Sequence, residues 1–130
     1  MSNNFTGILP KSLYSCKSLK AIRLSINHIE GQIDPEILSL NHLSVLSLFR
    51  NRLTNLTGAM NILKCCKNLK VLTLSMSFVG EEMLDGDRMA DFDGFQNLRI
   101  LALRGCQLTG QLPVWLSKLQ KLEIDLGYVS

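Results

Sequence analysis

The sequence predicts an α/β solenoid, in which short coils of chain stack on one another. Two observations predict this fold: leucine takes 25 of the 130 positions, and the leucines recur with a fixed internal spacing. The pattern L-x-x-L-x-L restarts near 19, 43, 69, 98 and 122, so the repeats are 24 to 29 residues long. Repeats of this length are typical of solenoids, because a single coil cannot bury its own leucines and stacked coils can.

Each copy begins with a predicted strand and continues into a turn. In the copy that starts at Leu43, Leu46 and Leu48 alternate with Ser47, so the leucines are expected to face the core and the serine to face solvent. An asparagine amide at the end of a strand can bond backbone groups that have no other partner. Asn27 and Asn51 occupy this position in two copies, and Ser77 and Cys106 occupy it in the next two.

A leucine-rich helical bundle is the main alternative fold. Its apolar residues would recur with a period of about 3.6 along the whole chain. Here the apolar spacing alternates between three and two within each copy, and Asn, Gly and Pro separate the copies. Since these residues interrupt helices, the pattern favours the solenoid.

The chain is predicted to be one partial array over residues 1–130, with an acidic insertion at 80–94. Six acidic residues stand against Arg88 alone within 81–93. The ligand spacing of an EF-hand is absent, so we expect a solvated acidic loop and no calcium site. The last copy carries Asp125 and Gly127 where apolar residues are expected, which predicts a final strand that is frayed or out of register.

The candidate binding surface consists of side chains on the solvent side of the strands and in the turns after them. In stacked coils, equivalent residues form columns about 4.8 Å apart. An aromatic side chain beside arginines suits recognition of a peptide, a carboxylate or a sulfated group. The members of these columns that stand out are Arg23, Phe49, Arg50, Met76 and Arg104.

No catalytic residue, metal site or cofactor site is predicted. The sequence has no nucleophile elbow, P-loop, HExxH or kinase motif, and no zinc-binding spacing. The net charge of +3, with lysines that lack interleaved aromatics, does not favour nucleic acid. We expect no signal peptide and no transmembrane segment in this chain, since no apolar stretch approaches about 18 residues. Cys16 and Cys66 take an apolar repeat position and are expected to be buried thiols, whereas Cys65 is expected to be free.

The turns resemble the plant-specific leucine-rich repeat, L-x-G-x-I-P. The segments Phe5–Pro10 and Leu108–Pro113 match this motif, and Ile29–Asp34 keeps its glycine but has Asp34 at the proline position. The resemblance implies a plant-type leucine-rich repeat superhelix, with a parallel concave β-sheet and a 3₁₀ or irregular convex side.

The chain more closely resembles the group of receptors for tyrosine-sulfated glycopeptides and phytosulfokine. This resemblance is carried by residues 55–69 and 93–116. It implies a fragment of the extracellular, ligand-sensing region of a plasma-membrane receptor kinase. Such a parent would bind a secreted, sulfated peptide hormone, a co-receptor ectodomain or both, and its serine/threonine kinase would lie outside this chain. The alternative is a stand-alone small leucine-rich repeat scaffold or decoy, for which an intracellular location stays open.

Two tripeptides match the acceptor motif for N-glycosylation. They are Asn4-Phe5-Thr6 and Asn55-Leu56-Thr57, so Asn4 and Asn55 are the candidate modification sites. The motif matters only if the chain enters the secretory pathway.

Overall fold

The computed structural model describes residues 6–24, 28–78, 94–105 and 123–125. These residues form two parallel β-sheets and a side of short helices. The strands are β1 (Thr6–Gly7), β2 (Ala21–Arg23), β3 (His28–Gly31), β4 (Val45–Ser47), β5 (Arg52–Leu53), β6 (Val71–Thr73), β7 (Ile100–Ala102) and β8 (Glu123–Asp125). The helices are α1 (Leu56–Leu63) and two 3₁₀ helices, Lys11–Ser15 and Pro35–Ser39.

The larger sheet has the strand order β2-β4-β6-β7-β8, and all of its pairs are parallel. It confirms the predicted parallel sheet of a plant-type leucine-rich repeat superhelix. The strands β2, β4, β6 and β7 each bury their middle residue: Leu46 pairs with Leu72 and Leu72 pairs with Leu101, and all three are fully buried. The alternation that was read from the L-x-L pattern is therefore the alternation of core and solvent sides.

The last strand of this sheet corrects the prediction of a frayed or misregistered end. Ile124 pairs with Leu101, and β8 continues the parallel ladder without a slip. The apolar strand position thus falls at Ile124, one residue earlier than the spacing from Leu122 requires. The ladder depends on backbone groups, so it tolerates a one-residue change in the spacing between Leu122 and the strand.

A second sheet, of order β1-β3-β5, was not anticipated from the sequence. It is also parallel, with Thr6 opposite His28 and Glu30 opposite Arg52. Its strands run into the glycines of the L-x-G-x-I-P motif, Gly7 and Gly31, whose φ angles are +82° and +84°. Glycine adopts this left-handed region without steric cost, which explains why the motif requires it.

The helical side differs from coil to coil. In the second coil the side chain of Asp34 accepts a hydrogen bond from the backbone N–H of Glu36 at 2.8 Å, so this aspartate caps a 3₁₀ helix that begins with Pro35. The third coil replaces the 3₁₀ helix with α1, whose apolar side packs into the core. The convex side is therefore 3₁₀ in two coils, as the resemblance implied, and α-helical in a third.

Asn51 performs the role that the sequence assigned to it. It is 6% exposed, and its Nδ2 donates to the carbonyl oxygen of Leu24 at 2.8 Å and, more weakly, to that of Phe49 at 3.4 Å. Its Oδ1 accepts from the backbone N–H of Ile29 at 3.2 Å. Ser77 takes the same place in the next coil, where its hydroxyl accepts from the backbone N–H of Asn51 and donates to Leu48. These side chains link successive coils where strand pairing ends.

One of the two buried-thiol predictions was wrong. Cys66 is 8% exposed, as expected, but Cys16 is exposed, as is Cys65. Cys16 directly follows the first 3₁₀ helix, in which Tyr14 is 3% exposed. The core position of this coil is therefore filled by Tyr14, and the repeat position alone does not decide burial.

Several predictions concern residues outside the described ones: Asn4, Asn27, Cys106 and nearly all of the acidic insertion. The chain is described again from Gly94 onward. The backbone N–H of Phe95 donates to the carbonyl oxygen of Lys64 at 2.9 Å. A Cβ atom on Gly94 would lie 2.7 Å from that same oxygen, so only glycine fits at this point.

Candidate functional site

The solvent side of the larger sheet is the candidate functional site. Its strand residues stand in register, so that Arg23, Ser47, Thr73 and Ala102 form one column across four coils. Arg23 lies at the edge of this column on β2 and is exposed. Neighbouring members of the column are separated by the distance between paired strands, about 4.8 Å.

The turns after the strands form a second feature, which we call the turn row: Arg50, Met76 and Gly105. All three residues have positive φ angles, of 58°, 59° and 74°. The hydrogen-bond ladder continues through the turns, since Arg50 N–H donates to Ser75 O at 3.0 Å and Met76 N–H donates to Arg104 O at 2.7 Å. The shared left-handed turn therefore presents the side chains of adjoining coils side by side.

Met76 spans two coils of the turn row. A Cβ atom on Gly105 would lie 2.6 Å from the Cγ atom of Met76, so the methionine side chain lies over the glycine of the next coil. Met76 is nevertheless 40% exposed. A flexible, polarisable side chain in this position offers an adaptable contact surface.

The structure brings four of the five candidate residues together. Arg50, Met76 and Arg104 are exposed on three successive coils, and the half-buried Phe49 directly precedes Arg50. Arg23 stands apart, in the strand column. Ser75, between Phe49 and Arg104 in its column, is only 5% exposed because its hydroxyl accepts from the backbone N–H of Arg104 at 3.1 Å.

The charges of the described side chains are segregated. Where the structure describes the side chains, the acidic ones are Glu30, Asp34 and Glu36, which lie in β3 and at the second 3₁₀ helix, away from the turn row. The register adds two acidic residues, Glu123 and Asp125, on the last strand of the larger sheet. The turn row and its neighbours contribute arginines. Such a surface attracts an anionic group by long-range electrostatics and can hold it through charge-assisted hydrogen bonds.

Sequence reasoning missed one column on the same face, which we call the apolar row: Ala21, Val45, Val71 and Ile100. These residues pair in register from β2 to β7. The first three are half-buried, and Ile100 is 38% exposed. The signal was available, since each member lies two residues after a repeat start, where the alternation places a side chain on the solvent side.

Asn55 occupies the motif-glycine position of its coil and adopts the same left-handed conformation, with φ 62° and ψ 64°. Its Oδ1 accepts from the backbone N–H of Gly58 at 3.0 Å, so it caps α1. Its Nδ2 donates to Oε1 of Gln32 at 3.0 Å, and the residue is exposed. The residue that would carry a glycan on Nδ2 is therefore exposed, and its Oδ1 forms the cap.

The buried titratable groups are neutral at physiological pH. Burial, with a smaller contribution from Cys65, raises the pKa of the Cys66 thiol to about 11. Burial, followed by the negative charges of Asp34 and Glu36, raises the pKa of Tyr14 to about 12. Neither group is a thiolate or phenolate nucleophile under these conditions.

In the part of the chain that the structure describes, no three His, Cys, Asp or Glu side chains come together as a metal site. None of its helices is long and apolar enough to cross a bilayer.

Comparison with known proteins identifies relatives along almost the whole chain. Residues 97–119 match the family described as Leucine Rich Repeat. Receptor-like protein 3 of Arabidopsis thaliana is 44% identical over 128 residues, which covers 98% of this chain and 17% of that protein. Phytosulfokine receptor 1 of the same organism is 38% identical over 87 residues, which covers 66% of this chain and 8% of that receptor.

A solved structure shares the architecture. The leucine-rich repeat ectodomain of the Arabidopsis thaliana receptor kinase HAESA, in complex with an extended IDA peptide hormone, aligns with a TM-score of 0.71 and 30% identity. The alignment covers 94% of this chain and 19% of that one. The chain thus spans less than a fifth of the length of each of these proteins.

Proposed function

Because the chain belongs to the plant leucine-rich repeat proteins, with receptor-like proteins and phytosulfokine receptors as homologues, we propose that it is a non-catalytic, peptide-binding part of a receptor ectodomain. The ligand is a secreted peptide that lies on the solvent side of the larger sheet. The parent receptor displays this surface at the extracellular face of the plasma membrane. A co-receptor ectodomain is the second partner.

The observation that carries the proposal is the turn row with its neighbours. Arg50, Met76 and Arg104 are exposed on three successive coils, and Phe49 lies next to them. Cationic and apolar contacts in one surface suit a peptide that bears an anionic group, either a sulfated tyrosine or a terminal carboxylate. The HAESA ectodomain, which has the same fold, is complexed with a peptide hormone.

A charge-matched pair of variants tests this proposal. Arg50→Gln removes a cation from the turn row, and Arg52→Gln removes one from β5 in the smaller sheet, two residues away. We expect a sulfotyrosine peptide to bind the wild-type chain more tightly than its unsulfated counterpart. Arg50→Gln should weaken that binding about tenfold or more, because a charge-assisted hydrogen bond is lost, whereas Arg52→Gln should not.

Isothermal titration calorimetry on the intact chain measures both affinities, and circular dichroism verifies folding of each variant. An equal loss of affinity in the two variants would mean that the effect comes from the net charge of the chain and not from the position of Arg50. If every variant bound the sulfated and the unsulfated peptide with equal affinity, the proposal that this surface recognises an anionic group would be wrong.

We expect Asn55 to be glycosylated when the chain is secreted. Expressed through a plant secretory pathway, the chain should carry an N-glycan there, because Asn55 is exposed and its cap to α1 is made through Oδ1. Asn55→Asp should remove the glycan and keep α1 capped, since aspartate is an equally good cap. Thr57→Val should also remove the glycan, with Asn55 intact.

Mass spectrometry of tryptic peptides detects the glycan on Asn55, and the melting temperature shows whether the helix cap is kept. The secreted chain with an unmodified Asn55 would contradict the prediction. A large drop in melting temperature for Asn55→Asp would contradict the assignment of the helix cap to Oδ1 of Asn55.

A further inference from the structure

The apolar row is unusual for its position in the fold. A sheet with one face on the core normally presents polar side chains on the other face. Here Ala21, Val45, Val71 and Ile100 run in register across four coils on the solvent side. The row begins with its smallest member, Ala21, and ends with its largest, Ile100, which is 38% exposed. This continuous apolar surface is not needed to fill the core, which lies on the opposite side of the strands.

A cationic rim borders the apolar row. We give this name to Lys20, Lys70 and Arg99, all exposed, each directly preceding a member of the row. The backbone aligns them, because Ser44 N–H donates to Lys20 O, Lys70 N–H to Ser44 O, and Arg99 N–H to Lys70 O, each at 2.8 Å. Where the structure describes the acidic side chains, they lie in β3 and at the second 3₁₀ helix, away from this rim. In the backbone register, Glu123 of β8 takes the next position after the last member of the row, so the apolar row ends there.

The dimensions suit an extended peptide that crosses the strands. Paired strands are about 4.8 Å apart, so two coils span about 9.6 Å. A polyproline II segment rises about 3.1 Å per residue, or about 9.3 Å for three residues. Every third side chain of such a segment would therefore meet the row at alternate coils, for example at Val45 and at Ile100. The other two side chains of each triplet would point to the rim or to solvent.

The charge of the rim selects the occupant. A second copy of this chain, docked row to row, would bring cationic rims together and be repelled. A flat anionic membrane would meet the rim but not the row, which lies on the concave face of the solenoid. An acidic peptide satisfies both features at once.

We propose that the apolar row and the cationic rim form a binding subsite for an extended acidic peptide segment with an apolar side chain at every third residue. This proposal rests on the proposed function, since it takes the ligand to be a peptide on this face. It assigns a second part of that ligand to the side of the sheet where the strands begin. The turn row lies at the opposite side, where the strands end.

The probe is a fluorescent peptide of repeated Glu-Pro-Leu triplets, in which proline favours the extended conformation. We expect it to bind the intact chain and to shift the methyl NMR signals of Val45, Val71 and Ile100. Binding should weaken as salt is raised from about 0.05 to about 0.5 M, because the rim contacts are exposed. A Lys-Pro-Leu peptide and a Glu-Pro-Ser peptide should each bind at least about tenfold more weakly.

Variants locate the subsite on the protein. Val71→Thr and Ile100→Thr keep β-branched side chains in their strands and remove apolar surface, and each should weaken binding about fivefold. Lys70→Gln should weaken it about threefold. The matched control is Lys11→Gln, which removes an exposed lysine from the first 3₁₀ helix and should change nothing. Ile100→Thr keeps the test valid if the half-buried Val71 proves sensitive to substitution.

The outcomes separate this proposal from the proposed function. If Arg50→Gln abolishes sulfotyrosine-peptide binding while Val71→Thr and Ile100→Thr leave Glu-Pro-Leu binding unchanged, the subsite is wrong and the peptide-binding module stands. If the row variants lose the Glu-Pro-Leu peptide and Arg50→Gln binds every peptide normally, the subsite stands and the turn row is wrong. Absence of Glu-Pro-Leu binding, or binding to vesicles of anionic lipid in its place, overturns the subsite.

Discussion

Replacing Asn51 with alanine is expected to lower the free energy of unfolding by about 3 kcal/mol. The substitution removes the amide that bonds Leu24 O at 2.8 Å and Ile29 N–H at 3.2 Å, both in the preceding coil. Ile29 is 1% exposed, so water cannot replace the lost partner of its N–H. Each buried backbone group left without a partner costs about 1–3 kcal/mol, and two are affected. Chemical denaturation followed by circular dichroism measures the loss.

Asn68 provides a matched control on the same coil. Its Nδ2 also donates to a carbonyl oxygen of the preceding coil, that of Asn41, at 2.7 Å, but both residues are exposed. Asn68→Ala should cost about 1 kcal/mol or less, because water takes the place of the amide. Equal losses at the two positions would mean that burial is not what makes the Asn51 bonds important.

Leu72→Ala is expected to cost about 3 kcal/mol as well, through a cavity at the centre of the solenoid. Leu72 is fully buried and lies between Leu46 and Leu101 on the flanking strands. Leucine-to-alanine changes in close-packed cores cost about 2–5 kcal/mol, because the surrounding side chains relax only partly. Since small domains are stable by about 5–15 kcal/mol, this variant should melt at a clearly lower temperature.

Val71 is the neighbouring control on the same strand. It is half-buried on the solvent side, so Val71→Ala should cost about 1 kcal/mol. The two variants together test the assignment of strand faces. Comparable destabilisation by both would contradict the placement of Leu72 in the core and Val71 in the apolar row.

The repeat spacing was sufficient to predict the larger sheet, because one physical requirement, burial of leucines between coils, sets both the spacing and the stacking. The smaller sheet produces a weaker pattern in the sequence. Its strands have two to four residues, and β5 carries a single buried residue, Leu53. The helix α1 was missed because Asn55 takes the place of the motif glycine, and a residue that both adopts a left-handed turn and caps a helix looks like a motif mismatch in the sequence.

The candidate site was only partly predictable. Columns follow from the period, so Arg50, Met76 and Gly105 could be aligned, and the structure places them in equivalent turns. The burial of Ser75 could not be foreseen, since it depends on the hydroxyl accepting a bond from the next coil. The apolar row was overlooked because valine and isoleucine beside strand leucines are easily assigned to the core. The burial pattern of the strands, in which a half-buried valine precedes a fully buried leucine, shows that they face away from it.

The left-handed turn row has an evolutionary consequence. Gly105 adopts its φ of 74° without strain, but Arg50 and Met76 hold similar angles at a cost of about 1 kcal/mol each, because their Cβ atoms crowd the backbone. Selection for stability alone would favour glycine in every coil of this row. Related sequences that acquire glycine at position 50 or 76 should therefore be more stable and less discriminating. A large side chain retained at either position would indicate that selection still acts on recognition there.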